Sequence, residues 1–164
     1  MRLAAITALV VLTAPALAQT PLTEFNGHWS GSGTDRDFPS ESAQPTRCRT
    51  IVKADAARIV SETRCRGEAG LDKTLRLSVA VDGSGFEGKG EQVSTRRGSG
   101  NPPRIRAGRV TGTRSGDRAT FTVHMPGLMP NATVTLDLTS PATYVMQITA
   151  LGMVLTDVTF RRGP

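Results

Sequence analysis

Polar and apolar residues alternate with a period of two along most of this chain, and the pattern is clearest between Leu71 and Val81. In an extended segment Leu75, Leu77 and Val79 share one side, while the residues between them are polar or small. The same alternation recurs in the segments 119–125, 132–138, 144–150 and 154–160. No segment after residue 18 sustains helical spacing, so the pattern predicts strands that each have one apolar face.

Turns rich in glycine and proline separate these segments. The chain therefore predicts ten strands, at 25–34, 45–53, 58–66, 71–81, 85–95, 104–113, 118–125, 131–139, 143–150 and 153–162. Short connections favour an all-β fold, an antiparallel meander that closes into a single up-and-down β-barrel of about eight to ten strands, because closure removes exposed edges. Residues 35–44 and 96–103 are predicted to be surface loops. The predicted core contains Leu75, Leu77, Val79, Phe121, Val123, Val134, Leu136, Met146, Ile148 and Phe160.

The first residues follow the order of a secretory signal peptide. Met1-Arg2 precedes an apolar run that reaches Pro15, and the small residues of Ala16-Leu17-Ala18 come next. We expect cleavage after Ala18, so that residues 1–18 are a signal peptide and 19–164 form a single periplasmic or secreted domain. The alternative, retention as a membrane anchor, is disfavoured because a span needs about 20 apolar residues. No integral membrane insertion is predicted.

Charge and aromatic content indicate which classes of binding partner are favoured. The chain has a formal net charge of +6, and its basic residues are 17 arginines against 3 lysines. The arginine excess has two explanations, the codon usage of a GC-rich genome or the bidentate binding of oxyanions. Nucleic acid is disfavoured by export and by an aromatic content of 4%, which leaves few stacking platforms. The same scarcity disfavours an outer-membrane barrel, which needs aromatic girdles.

Cys48 and Cys65 are the two cysteines of the chain, and an oxidising compartment favours a disulfide between them. If their strands form a hairpin that turns at Ala56-Ala57, residues whose numbers sum to 113 face each other. Cys48 then lies directly opposite Cys65. A redox-active or metal-binding pair is the alternative, but the spacing is not C-x-x-C.

The same register predicts a cluster of arginines on the opposite side of the hairpin. Arg47 would face Arg66, and Arg49 would face Arg64. Like charges that face each other destabilise a sheet, so these groups need solvent, an acidic neighbour such as Glu62, or a bound anion. Two interpretations stay open, a solvated outer face and a candidate anion-binding site.

Catalytic and metal-binding motifs are weak in this sequence. His28 and His124 align with no nucleophile, and with the two cysteines they make a thin ligand set. No G-x-S-x-G elbow and no phosphate-binding loop is present. We therefore predict no catalytic residue, no metal site and no cofactor, and expect a protein that is not an enzyme.

The segment Phe25-Asn26-Gly27-His28-Trp29 resembles the G-x-W opening of the calycin group, which includes lipocalins, fatty-acid-binding proteins and avidins. The resemblance implies that Gly27 and Trp29 close one end of the barrel beside a basic residue of a late strand. We choose Arg161 for that residue, with Arg162 as its alternative. The order of W-S-G-S-G, two R-C-R sites and a closing T-F-R-R also looks like that of exported proteins from alphaproteobacteria, a similarity that brings no activity with it.

These expectations favour a non-enzymatic binding or envelope-accessory protein. Its ligand would be a small apolar or anionic molecule, held inside the barrel or on the arginine face. The alternative is a protein-binding module, such as a periplasmic protease inhibitor with an envelope protein as its partner. A free N-terminal segment from Gln19 to Glu24 would favour this alternative.

Overall fold

The computed structural model of the chain describes residues 22–82, 85–127 and 130–163. A short 3-10 turn, Leu22–Phe25, comes first, and ten strands follow it. The strands are β1 (Gly27–Asp35), β2 (Gln44–Ala54), β3 (Arg58–Gly67), β4 (Leu71–Asp82), β5 (Gly85–Arg96), β6 (Arg104–Ser115), β7 (Arg118–His124), β8 (Ala132–Ser140), β9 (Thr143–Ala150) and β10 (Met153–Arg162).

The ten strands form one closed antiparallel barrel. Each strand pairs with its neighbours in sequence, and β1 completes the ring by pairing with both β2 and β10. The predicted up-and-down barrel is therefore confirmed. The first strand begins at Gly27 and not at residue 25, because Leu22–Phe25 turns inward and buries Leu22 and Phe25.

Alternation decides which side chains fill the barrel. Of the predicted core residues, five are buried: Val79, Phe121, Met146, Ile148 and Phe160. The other five are partly buried and pack against that cluster: Leu75, Leu77, Val123, Val134 and Leu136. All five members of this second group line an internal cavity, which accounts for their residual exposure.

Two inward-facing glycines allow neighbouring strands to approach closely. A Cβ atom at Gly33 would overlap the backbone carbonyl of Asp157, and one at Gly88 would overlap that of Ser78. Glycine at such points permits the strand curvature that barrel closure requires.

The predicted signal peptide, residues 1–18, lies outside the described residues. Within the part of the chain that the structure describes, no helix is long and apolar enough to cross a membrane. The disulfide described below fits an oxidising compartment.

Candidate functional site

The hairpin of β2 and β3 has the predicted register. Its turn is held by the side chain of Asp55, whose Oδ1 accepts hydrogen bonds from the backbone amides of Ala57 and Arg58, both at 2.8 Å. Cys48 pairs with Cys65 across the strands, and the two form a disulfide with their Cα atoms 4.0 Å apart. Both cysteines point into the barrel and are buried.

The four arginines of this hairpin lie on the outer surface, as predicted. Arg47 is opposite Arg66, and Arg49 is opposite Arg64, and all four are exposed. Arg64 forms an ion pair of 2.7 Å with Glu62.

Glu62 also belongs to a chain of ion pairs that continues across the sheet. Arg76 lies 2.9 Å from Glu62 and 2.7 Å from Glu91. The hydrogen bond from Arg76, assisted by Arg64, lowers the pKa of Glu62. Arg64 is thus the only member of the hairpin cluster with a carboxylate partner among the described residues.

One end of the barrel, which we call the aromatic end, is closed by the residues that the G-x-W motif indicated. The indole Nε1 of Trp29 donates a 2.7 Å hydrogen bond to the carbonyl of Phe25. The guanidinium of Arg162 lies 4.2 Å from the centre of the Trp29 ring and donates to the backbone carbonyls of Glu24 and Asn26. Gly27, with φ of 127°, allows this approach, since a Cβ there would lie 3.0 Å from a guanidinium nitrogen of Arg162.

The choice of Arg161 as the partner of Trp29 was wrong. Phe160 points into the barrel with no exposure, so the side chain two positions later, Arg162, shares its side of β10. Arg161 therefore points to the outer surface.

Tyr144 is the centre of the aromatic end. Its ring contacts that of Trp29 edge-on at 4.8 Å and stacks on that of Phe160 at 4.8 Å. Phe25 approaches it edge-on at 5.5 Å. Burial raises the pKa of the Tyr144 phenol well above its ordinary value, although a hydrogen bond with Thr50 opposes the rise.

The opposite end, which we call the polar end, is closed by the loop of residues 36–43. Asp37 of this loop is 6% exposed and accepts hydrogen bonds of 2.8 Å from both Arg104 and Arg106 and of 3.0 Å from Ser94. The same two arginines lie over the ring of Phe38. The prediction of a surface loop here was therefore incomplete, since the loop inserts a carboxylate into the barrel.

Electrostatics keep Asp37 ionised. Burial by itself would raise the pKa of this carboxyl group. The hydrogen bond and charge of Arg106, the charge of Lys73 and the hydrogen bond from Ser94 outweigh burial, so the pKa of Asp37 is lowered.

A buried ion pair also lies at the polar end. The Nζ of Lys73 donates to Asp35 at 2.7 Å and to the carbonyl of Arg36 at 2.6 Å, and the hydroxyl of Thr156 donates to the same Asp35 oxygen at 2.7 Å. Sequence reasoning missed this pair. The alternation of the strand could have predicted it, because Lys73 lies on the same, inward side of β4 as Leu71 and Leu75.

Between the two ends lies an internal cavity of about 100 Å³. Leu22 and Phe25 line it beside the aromatic end, and Gln92 and Arg106 line it beside the polar end. Most of its wall is apolar and comes from Val52, Ile59, Leu75, Leu77, Phe121, Val123, Val134, Leu136, Met146 and Ile148.

Side chains that bind metal ions are not clustered in the described residues. No group of three or more His, Cys, Asp or Glu side chains there could hold a metal ion. His124 shares a 2.8 Å hydrogen bond with Thr111 on the outer surface.

Comparisons of the chain with protein-family models, with curated proteins and with solved structures found no match, so the resemblance to exported proteins stays a prediction.

Proposed function

We propose that this protein binds a small apolar molecule inside its barrel. The observation that carries the proposal is the cavity of about 100 Å³ with a largely apolar wall. Empty apolar cavities cost stability because their walls lose packing contacts. A ligand that fills the cavity restores those contacts, so the native state gains from binding it.

The size of the cavity limits the ligand. An apolar cavity of roughly 150 Å³ in another protein takes up benzene or xenon. A molecule of this order, a small ring or a short branched chain, suits the volume between Leu136 and Leu77.

The polar residues of the wall limit the charge of the ligand. Arg106 is already paired with Asp37 at 2.8 Å, so an acidic ligand would have to displace a buried carboxylate. The hydroxyls of Thr50 and Thr63 hydrogen-bond to each other at 2.9 Å, so each already has a protein partner. These pairings favour a neutral ligand over an anionic one for the interior.

The calycin-like opening supports the same function, because the barrels that it resembles hold ligands in their interiors. Leu22 and Phe25 are buried and line the cavity. This part of the N-terminal segment therefore favours the binding barrel over an inhibitor with a free N-terminal arm.

The test uses benzene and a cavity-filling variant. Benzene near ten times its Kd is expected to raise the melting temperature of the parent on the order of 3 °C, since it binds only the native state. Leu136→Phe fills the cavity and should abolish the rise. Thr135→Phe, which adds the same side chain to the outer side of β8, should keep it.

An equal response in Leu136→Phe and the parent would contradict binding in the cavity. Native mass spectrometry of the protein purified from its own source provides a second measurement. A retained small molecule would support the proposal, and a retained protein would support the protein-binding alternative.

A further inference from the structure

The arginines without partners share one part of the surface. Within the described residues, the side chains of four arginines have no hydrogen bond, ion pair or ring contact: Arg47, Arg49, Arg66 and Arg161. The other described arginines bind carboxylates, hydroxyls or backbone carbonyls, as Arg109 does with Glu87 at 3.1 Å and Arg118 does with Asp137.

Strand pairing brings these four residues together. Arg161 on β10 faces Ser30 on β1, which in turn faces Arg49 on β2. Arg47 and Arg66 lie one pleat further along, beside Ser32. With neighbouring strands about 4.8 Å apart and alternate residues about 7 Å apart, the guanidinium groups can converge on one ligand.

A groove runs between these side chains. It has a volume of about 810 Å³, and Ser30 and Gly31 of β1 are among the residues that line it. Arg47, Arg49, Arg64, Arg66 and Arg97 form its walls. We call this feature the arginine groove and include Arg161, which flanks Ser30.

The charge of the arginine groove is not balanced by the protein. Glu68 is the only carboxylate among the residues that line it. Arg64 is paired with Glu62, and Asp72, which faces Arg66 across β3 and β4, lies 3.4 Å from Arg97 and forms no ion pair with Arg66. Facing like charges destabilise a sheet, so a bound anion would relieve a cost that is already present in the fold.

We propose that the arginine groove is a binding site for a phosphate or sulfate group, separate from the interior cavity. Tetrahedral oxyanions match the forked donors of guanidinium groups, which bind them bidentately. Two or more such forks around one anion also give a preference for multivalent anions over chloride.

Pyrophosphate is the probe for this site, measured by titration calorimetry at constant ionic strength so that general screening does not change. We expect the protein to bind it and the variant R49Q/R66Q to bind at least about tenfold more weakly. The matched control is R109Q/R118Q, which removes the same charge from arginines that already have carboxylate partners. Its affinity should stay within about twofold of the parent.

Pyrophosphate binding that R49Q/R66Q retains, or an equal loss in R109Q/R118Q, would overturn the proposal. R161Q tests whether the site extends across β1 to β10. If R161Q binds pyrophosphate more weakly than the parent, the site includes Arg161. If R161Q binds pyrophosphate as tightly as the parent, the extension to β10 is wrong.

A second experiment tests whether the phosphate group that binds the arginine groove belongs to a lipid headgroup or to a free compound. Phosphatidylcholine vesicles, with and without phosphatidic acid, are sedimented with the protein. Sedimentation that requires phosphatidic acid and is reversed by pyrophosphate identifies a headgroup source. Pyrophosphate binding without sedimentation identifies a free phosphate compound, and binding in neither arm would overturn the proposal.

Discussion

At the aromatic end, Trp29, Tyr144 and Phe160 pack ring against ring, whereas at the polar end Asp37 is held between Arg104 and Arg106. The free energy gained by burying these rings does not depend on the ionisation of a carboxylate. The polar end depends on hydrogen-bond geometry and on two buried carboxylates, Asp37 with its arginines and Asp35 with Lys73. We therefore expect acid to weaken the polar end first.

The two ends also differ in how their arginines are used. Arg162 covers the aromatic end from outside, with its guanidinium over an indole ring and its donors on backbone carbonyls. Arg106 enters the polar end, where its side chain is 16% exposed and its charge is balanced by Asp37. Arg162 keeps its contacts when carboxylates are protonated, whereas Arg106 loses its ion pair with Asp37.

Removal of Trp29 should have the largest effect. Trp29→Ala deletes a side chain that is 2% exposed and removes the contacts of the indole ring with Tyr144 and Arg162. We expect a loss of about 3–5 kcal/mol in the free energy of unfolding. Chemical denaturation at neutral pH and again at pH 4 measures it, and a loss that changes strongly between the two would contradict a charge-independent end.

Neutralising Asp37 should have an intermediate effect that depends on pH. Asp37→Asn leaves Arg106 with a neutral partner, and we expect a loss of about 1–3 kcal/mol at pH 7. The pKa of Asp37 is lowered in the folded state, so its stabilisation is present above the unfolded value of 3.8 and disappears as the pH falls through the folded pKa.

The denaturation curves of the parent and Asp37→Asn should therefore converge below pH 3.8. Asp137→Asn is the control, because it removes a carboxylate that pairs with Arg118 on the exposed outer surface. It should cost about 0–1 kcal/mol. A loss from Asp37→Asn that persists unchanged in acid would show that its charge does not hold the loop.

The neighbouring arginines of β10 allow a matched test of the aromatic end. Arg162→Gln removes the contact with Trp29 and the bonds to backbone carbonyls, for which we expect a loss of about 1–2 kcal/mol. Arg161→Gln should stay within about 0.5 kcal/mol, since this side chain lies on the surface without a partner. Equal losses in thermal or chemical denaturation would contradict the assignment of Arg162.

Among the contacts at the two ends, the smallest effect is expected at Glu24. This residue pairs with Arg114 beside the aromatic end, and its side chain is 42% exposed. Glu24→Gln should cost about 0.2–1 kcal/mol at low salt and less at high salt, because water and ions reach the carboxylate of Glu24, whereas the Arg114 side chain is 5% exposed. Denaturation at two salt concentrations measures it, and an effect as large as that of Asp37→Asn would remove the distinction between the ends.

Much of the fold was predictable because its rules are local. The period of two placed all ten strands with bounds within about two residues. The turn predicted at Ala56-Ala57 determined the register of one hairpin, and with it the pairing of Cys48 with Cys65. The same periodicity also places Arg162 and Lys73 on the inward sides of their strands, because each lies two positions from a buried residue, Phe160 and Leu71 respectively.

The polar end could not be predicted in this way. Asp37 lies in a loop, where no periodicity indicates which side chain turns inward. Its partners Arg104 and Arg106 are 67 and 69 residues away in the chain. Only the position of this loop over the barrel opening makes Asp37 a buried carboxylate.

The sequence by itself determined the strands, the inward and outward faces and the disulfide, because each depends on residues close together along the chain. Tertiary structure alone decided the cavity, the closure of the polar end and the place of Arg161 across β1 from Arg49. These features depend on the pairing of β1 with β10, the first strand with the last. That closure depends on the summed packing of the whole barrel, and no local pattern records it.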